Sequence, residues 1–381
     1  MNREKDISNL NEFYFFREFT YSKNKFINKN GQEVEIADNI VSLDKIFIVY
    51  QIKTRNQIEN PSTEKENTWF DKKIVKKATK QIRDTINYLN DYDQILLDNQ
   101  RGDSFNISTG DIKSAQKIVV YAATEHLSSD KKRIKFHKSD TAGIIHIISL
   151  ENYEKIIKTL ITPAEVFEYL GFREKIVANY PDQASLVSEG SLIGQYIIGD
   201  LEKIPDSKYS DIIERLQKDY EAWDILNIIH LFPKRVTYST SKTDYYFILR
   251  EIGKLMRDSL KLFKERFTFS MEASKENRYE LPYRFAIPNL DLGFVFIPLC
   301  KDQFSNKKRG LSNLTLAHKY DSKVKKCIGI IFLYEKEDWF LIDWCFIESD
   351  WEPNAEMEKM LENNFPFRKV NPHYVNRYKM L

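Results

Sequence analysis

Glu33-Val-Glu-Ile-Ala-Asp38-Asn-Ile-Val-Ser-Leu-Asp44-Lys45-Ile-Phe-Ile-Val-Tyr-Gln51-Ile-Lys53-Thr-Arg55 is the stretch on which the fold turns. Two β-rich runs flank the polar pair Asp44-Lys45, so Val34–Ser42 and Ile46–Thr54 are expected to pair as a hairpin with a short loop. Successive side chains of a strand alternate sides, which puts Gln51 and Lys53 on one face. In that pairing Asp38 falls roughly opposite Gln51. A carboxylate, an amide oxygen and an ammonium then gather at one end of a two-stranded ribbon. Such a group can hold a hard divalent cation through oxygen while a lysine sits by an attacking water.

Asp38 followed at a distance by Gln51-Ile52-Lys53 resembles the core motif of the PD-(D/E)XK nuclease superfamily, in the variant where Gln replaces the second acid. That variant occurs in Mrr-like restriction endonucleases and related phage-defence nucleases. The resemblance covers roughly residues 1–180. Ala37 stands where the commonest pattern has Pro, and Gln51 removes one negative charge from the metal site. The motif is short; its placement across an expected hairpin, with a helix before and after, raises it above chance.

The resemblance implies an α/β restriction-endonuclease-like core, a mixed central sheet flanked by helices, over about residues 1–185. A second α+β domain is expected over 190–381. It further implies that Asp38, the Gln51 side-chain oxygen and the Ile52 carbonyl hold Mg²⁺, with Mn²⁺ able to substitute. Lys53 would orient or deprotonate the water. In such nucleases the helix before the hairpin often adds a glutamate. Glu12 is the favoured candidate here and Glu18 the alternative, each weighed against a plain surface acid.

The chain has 381 residues, 42% hydrophobic and 30% charged, enough for two cores. With 12 Gly and 11 Pro, long disordered linkers are not expected. No run of 18 apolar residues occurs, and Met1-Asn-Arg-Glu-Lys-Asp lacks the apolar stretch of a signal peptide. A cytoplasmic protein without membrane contact is therefore expected. Cys300, Cys327 and Cys345 fit no zinc spacing and read as reduced thiols. A net charge of +2 leaves nucleic-acid binding to local patches.

Residues 7–20 read as a helix that is apolar almost all round, hence buried. Trp69 to Leu89 reads as a long amphipathic helix, with Ile74, Ala78, Ile82, Thr85/Ile86 and Leu89 as its inner stripe. Its other face carries Lys72, Lys73, Lys76, Lys77, Lys80 and Arg83, six positive charges without an acid. A charge run on a helix is usually a solvated face of mixed sign; this single sign favours phosphate contact. Gln81 interrupts the pattern beside the stripe, and the resemblance implies a polar side chain there facing the active site.

Lys117–Thr124 and Gly143–Leu150 read as buried central strands. Between them Lys131–Lys138 reads as a basic loop and second backbone contact, and His146 as a satisfied core histidine. Helices follow at Tyr153–Leu160 and Ala164–Asn179, the latter started by Thr162 as N-cap with Pro163. Tyr180 to Ser191 reads as the domain junction, near 180–192.

The second half should hold helices near Lys208–Trp223 and Asp244–Glu265. Strands are expected at Tyr283–Ile287, Leu292–Leu299, Cys327–Tyr334 and Trp339–Ile347, the last two as a hairpin. Asp343 within it reads as a structural hydrogen-bonder. No nucleophile triad, metal-spaced His pair or Gly-rich phosphate loop stands out.

The expectation is a metal-dependent endonuclease acting on DNA, with RNA left open, in bacterial anti-phage defence or restriction. Its second half would serve recognition, regulation or assembly, as a homo-oligomer or with a defence-system partner protein. The alternative is a non-catalytic nucleic-acid-binding or regulatory protein on a nuclease-like fold.

Overall fold

The structure is a computed structural model that describes residues 3–55, 61–108, 114–217, 229, 241–336, 339–369 and 377–378. Contacts divide the chain into two units, Met1–Tyr220 with Tyr378–Leu381, and Glu221–Arg377.

The first unit is built on β1 (Thr20–Ser22), β4 (Asn39–Leu43), β5 (Ile46–Thr54), β8 (Gln116–Ala122), β9 (Phe136–Ser139) and β10 (Gly143–Ser149). Between them lie two separate ribbons, β2 (Lys25–Ile27) with β3 (Glu33–Glu35), and β6 (Gln94–Asp98) with β7 (Ser104–Ser108). The six-stranded order is β1-β4-β5-β8-β10-β9. β5, β8 and β10 run parallel to their neighbours among themselves, while the outer pairings are antiparallel. It is a mixed sheet.

The β4–β5 hairpin forms with Asn39 opposite Tyr50 and Leu43 opposite Ile46, Asp44 turning the chain at φ 53°. Its first strand is shorter than expected: Val34 and Glu35 pair with Phe26 and Lys25 of β2 instead. The N-terminal helix α1 spans Arg3–Tyr14 and does not reach residue 20. Phe16 takes φ 66° there, which breaks the helix, and Thr20 enters β1. The all-round apolar pattern was burial of a turn (Phe15, Phe16 and Phe19 are core residues), not of a longer helix.

One helical rod, α2, runs through Thr63–Trp69, a π-helical segment Phe70–Ala78, and Thr79–Asp91. Its buried stripe, Phe70, Ile74, Ala78, Ile82 and Ile86, advances in strict steps of four. In a plain α-helix such steps drift about 40° each; the wider π turn reverses the drift and keeps the stripe on the sheet. The stripe meets Phe47, Val49, Val119, Tyr121, Ile145 and Ile147. The opposite face is covered by α1, α3 (Leu150–Thr159) and α4 (Pro163–Asn179). Thr162 caps α4, accepting the Glu165 N–H at 3.0 Å ahead of Pro163, as its sequence indicates.

The stretch expected as a junction is instead helical, α5 (Pro181–Leu186) and α6 (Glu189–Ile198), and belongs to the first unit. The reason is a buried ion pair. Arg173 Nε donates to Glu189 Oε1 at 2.8 Å and Nη2 to Oε2 at 3.2 Å, with both side chains buried. Burial alone would raise the Glu189 carboxyl, but Arg173 and then Lys135 outweigh it and hold it at about 2. His146 lies in the same network, with Arg173 Nη1 at 2.9 Å and Gln116 Oε1 at 3.1 Å. Burial, followed by the Arg173 charge, pushes it well below the usual imidazole range. It is a neutral core histidine. α7 (Asp211–Gln217) follows; the rest of the helix expected to Trp223 lies outside the described residues.

The second unit has α8 (Tyr245–Gly253) and α9 (Arg257–Lys275) ahead of a sheet. The sheet holds β11 (Tyr283–Ile287), β12 (Leu292–Leu299), β13 (Lys326–Lys336) and β14 (Trp339–Glu348), in that order, with α10 (Lys307–Asp321) connecting β12 to the parallel β13. α11 (Ala355–Asn363) follows the sheet. The Asp343 carboxylate pairs with Lys307 at 2.8 Å, a structural role. Cys300, Cys327 and Cys345 are free thiols. No described helix is long and apolar enough to cross a membrane.

Candidate functional site

Register carries Asp38, one residue ahead of β4, to the level of Gln51 on β5. The side chain does more than face its neighbour. Asp38 Oδ2 accepts the Ile52 N–H at 2.6 Å and the Lys53 ammonium at 3.0 Å. Lys53 Nζ also donates to Gln51 Oε1 at 3.0 Å and to the Ile52 carbonyl at 3.1 Å. Its three N–H bonds are thus spent on a carboxylate, an amide and a main-chain oxygen that converge on one point. Asp38 and Lys53 side chains are 10% and 18% exposed, so the cluster is largely withdrawn from water yet reachable.

Charge-assisted bonds of this kind are short and directional. They hold three hard oxygen donors around a position already occupied by a positive charge. Among the described residues no three His, Cys, Asp or Glu side chains are grouped to hold a metal. The set here is of another composition, one carboxylate with an amide and a carbonyl. Oxygens of that type are the donors Mg²⁺ or Mn²⁺ takes, and here all three lie 3.0–3.1 Å from the ammonium that occupies their meeting point. An ion would take that point only with the ammonium moved off it.

The two glutamates each pair with an arginine. Glu12 pairs with Arg17 at 3.2 Å. Glu18 is buried and held by Arg101 Nε at 2.8 Å, which anchors the β6–β7 ribbon to the start of β1. Glu18 is therefore a structural ion-pair partner. Gln81 is half-buried, and its Oε1 is fully enclosed with no hydrogen-bond partner among the described residues. One turn on, Thr85 donates to the Gln81 carbonyl at 3.0 Å and to the carbonyl of Ile36, two residues before Asp38. That bond seats this part of α2 over the loop carrying Asp38.

Lys72, Lys73, Lys76, Lys77 and Lys80 are exposed, as their sequence pattern requires. Arg83 departs from it: the residue is half-buried and its Nε is enclosed without a partner among the described residues. Asp71, the acid next to the run, is drawn off by Lys131. The stretch 131–138 is no loose basic loop. Ser129–Lys132 is a helical turn, Phe136–Ser139 is β9, and Lys135 is buried beside Glu189 at 3.7 Å.

Behind the site, on the other face of the sheet, runs a buried polar chain that sequence reading did not single out. Asn11 Nδ2 donates to Asn39 Oδ1 at 2.8 Å, and Asn39 Nδ2 to Ser22 Oγ at 2.6 Å. Tyr153 reaches both Asn11 at 2.5 Å and the Tyr50 hydroxyl at 3.1 Å. Asn39 and Tyr50 are the chain neighbours of Asp38 and Gln51, so this chain locks the backbone that presents the site. A cavity of about 1120 Å³ opens at the C-terminal ends of β8 and β10, lined by Phe13, Tyr121, Thr124, Ser149 and Lys158 among others. Asp38, Gln51 and Lys53 are not in its wall, although Tyr121 pairs with Lys53 across the strands.

Compared with family models, with curated proteins and with solved structures, the chain matches none.

Proposed function

We propose that the chain is a metal-dependent endonuclease that hydrolyses phosphodiester bonds, with DNA as its substrate, in bacterial defence against phage or in restriction. The observation that carries this reading is the convergence of Asp38 Oδ2, Gln51 Oε1 and the Ile52 carbonyl on the Lys53 ammonium within 3.0–3.1 Å. Order in the chain supports it too: a helix, the β4–β5 hairpin, the basic rod α2, then the central parallel strands. This is the arrangement a PD-(D/E)XK core would have.

Asp38, Gln51 and the Ile52 carbonyl would hold Mg²⁺ or Mn²⁺. When bound, the ion supplies a Lewis acid for the phosphate and lowers the pKa of a water. Lys53, released from the oxygens, orients that water and offsets charge developing on the pentavalent phosphorus. The exposed lysines of α2 grip the backbone without reading sequence.

One observation favours the alternative, a binding protein without catalysis: the Lys53 ammonium already occupies the point on which the three oxygens converge. Purified chain incubated with plasmid DNA and with RNA, in Mg²⁺ or chelator, separates the two. Metal-dependent nicking that Lys53→Ala abolishes supports the nuclease. Binding without any cleavage in Mg²⁺ refutes it.

A further inference from the structure

Arg55 continues the strand face that bears Gln51 and Lys53, two residues further on. Its N–H donates to the Ala122 carbonyl at 2.9 Å, extending the β5–β8 pairing to the strand ends. Its Nε donates to Glu66 Oε2 at 3.0 Å. Glu66 is itself wholly buried, and its second oxygen accepts the Thr124 N–H at 2.9 Å. The Trp69 ring lies 5.6 Å from the guanidinium. One carboxylate and one indole therefore fix the position and plane of the group.

An arginine bound through both terminal nitrogens would have fewer donors left for a ligand. Here one oxygen is diverted to Thr124. Among the described residues the Nε bond is the guanidinium's one hydrogen bond, which leaves the terminal nitrogens unclaimed. The side chain keeps 18% of its surface exposed. Beside it, Thr124 Oγ1 is enclosed with no hydrogen-bond partner among the described residues. Lys53 and Arg55 stand about 7 Å apart along the strand, a span suited to neighbouring phosphate groups.

We propose that Arg55 is a substrate-binding residue that grips a phosphate next to the one held at Lys53, with Glu66 and Trp69 as its positioning residues. The planar fork matches two phosphate oxygens, which a lysine cannot do. This rests on the nuclease reading and names a contact that the motif does not include.

The test is binding, not cleavage. Fluorescent duplex DNA is titrated with full-length chain in chelator over about 50–300 mM salt, alongside thermal melts. Arg55→Gln keeps an amide donor for Glu66 and loses the charge. Affinity should fall about five- to tenfold, and the slope of log Kd against log salt should drop by about 0.9. Arg55→Lys should keep the slope and lose about threefold in affinity. An unchanged slope and affinity in Arg55→Gln overturn the proposal, whatever the melting temperature does. If Arg55→Gln fails to fold, Arg55→Lys decides: full affinity at an unchanged melting temperature also overturns it. Wild-type chain that binds DNA but never cleaves refutes the nuclease alone and leaves the Arg55 comparison readable.

Discussion

The carboxylate of Asp38 accepts the main-chain N–H of Ile52 at 2.6 Å, so the acid is tied to the strand that carries Gln51 and Lys53. A side chain just ahead of one strand is thereby keyed to the backbone of its partner. The same oxygen, Oδ2, also accepts from the Lys53 ammonium at 3.0 Å, and from that competition the first prediction follows.

Lys53→Ala should lower cleavage by at least about 100-fold, the scale of losing a proton-transfer or charge-offsetting group. It should also bind Mn²⁺ more tightly than wild type, because no ammonium contests the three oxygens. Calorimetric Mn²⁺ titration of both proteins checks this. Weaker metal binding in the variant would mean that Lys53 helps hold the ion's site together instead of competing for it.

Gln51→Glu adds a second carboxylate at the same point. Mg²⁺ half-saturation should fall roughly tenfold, corresponding to about 1.4 kcal/mol, with cleavage retained. Complete loss of activity with intact folding would show that the amide, not its oxygen alone, is required.

Reversal of Lys73, Lys76, Lys77 and Lys80 to Glu should weaken DNA binding and flatten its salt dependence by about one unit of slope per lost contact. All four side chains are exposed, so melting temperature should move little. A slope equal to wild type would return this face of α2 to an ordinary solvated surface.

A fragment of residues 1–180 should fail to fold, whereas residues 1–220 should fold. The shorter piece lacks the whole of α5, α6 and α7, Glu189 among them, and leaves Arg173 buried without its carboxylate. Breaking such a pair costs about 3–5 kcal/mol, a large share of a domain's stability. Circular dichroism and melting of the two fragments decide the matter, and a cooperative melt of 1–180 would count against the Arg173–Glu189 argument.

Acid should act in two stages. His146 is held well below the usual imidazole range and His318, by burial, at about 4, so the folded state resists protons that the unfolded chain takes up below about 6.5. Their contribution is present above pH 6.5 and is lost as pH falls below it, for His318 down to about 4. Glu189, held at about 2 against 4.5 when unfolded, contributes above pH 4.5 and is lost between there and pH 2. By linkage that is on the order of 3 kcal/mol. Glu189→Gln should flatten only the lower limb of a melting-temperature profile; flattening near pH 6 would place the effect elsewhere.

Much of the site is written in local pattern. Alternation sets Gln51 and Lys53 on one face, Asp44-Lys45 turns the hairpin, and steps of four lay α2 on the sheet. Each is a matter of neighbours along the chain, where strand and helix periods act directly. Thr162-Pro163 starts its helix for the same reason. Arg55 was visible as the next member of the same alternating face, but no spacing rule tells that Glu66 would take its Nε. Glu18 meets Arg101 across 83 positions, and Glu189 meets Arg173 in a stretch whose Pro, Ser and Gly had the look of a junction. Tertiary structure alone decides these pairs. A charge buried without a partner costs several kcal/mol, so packing selects whichever opposite charge the folded backbone brings near, and sequence separation carries no record of that choice.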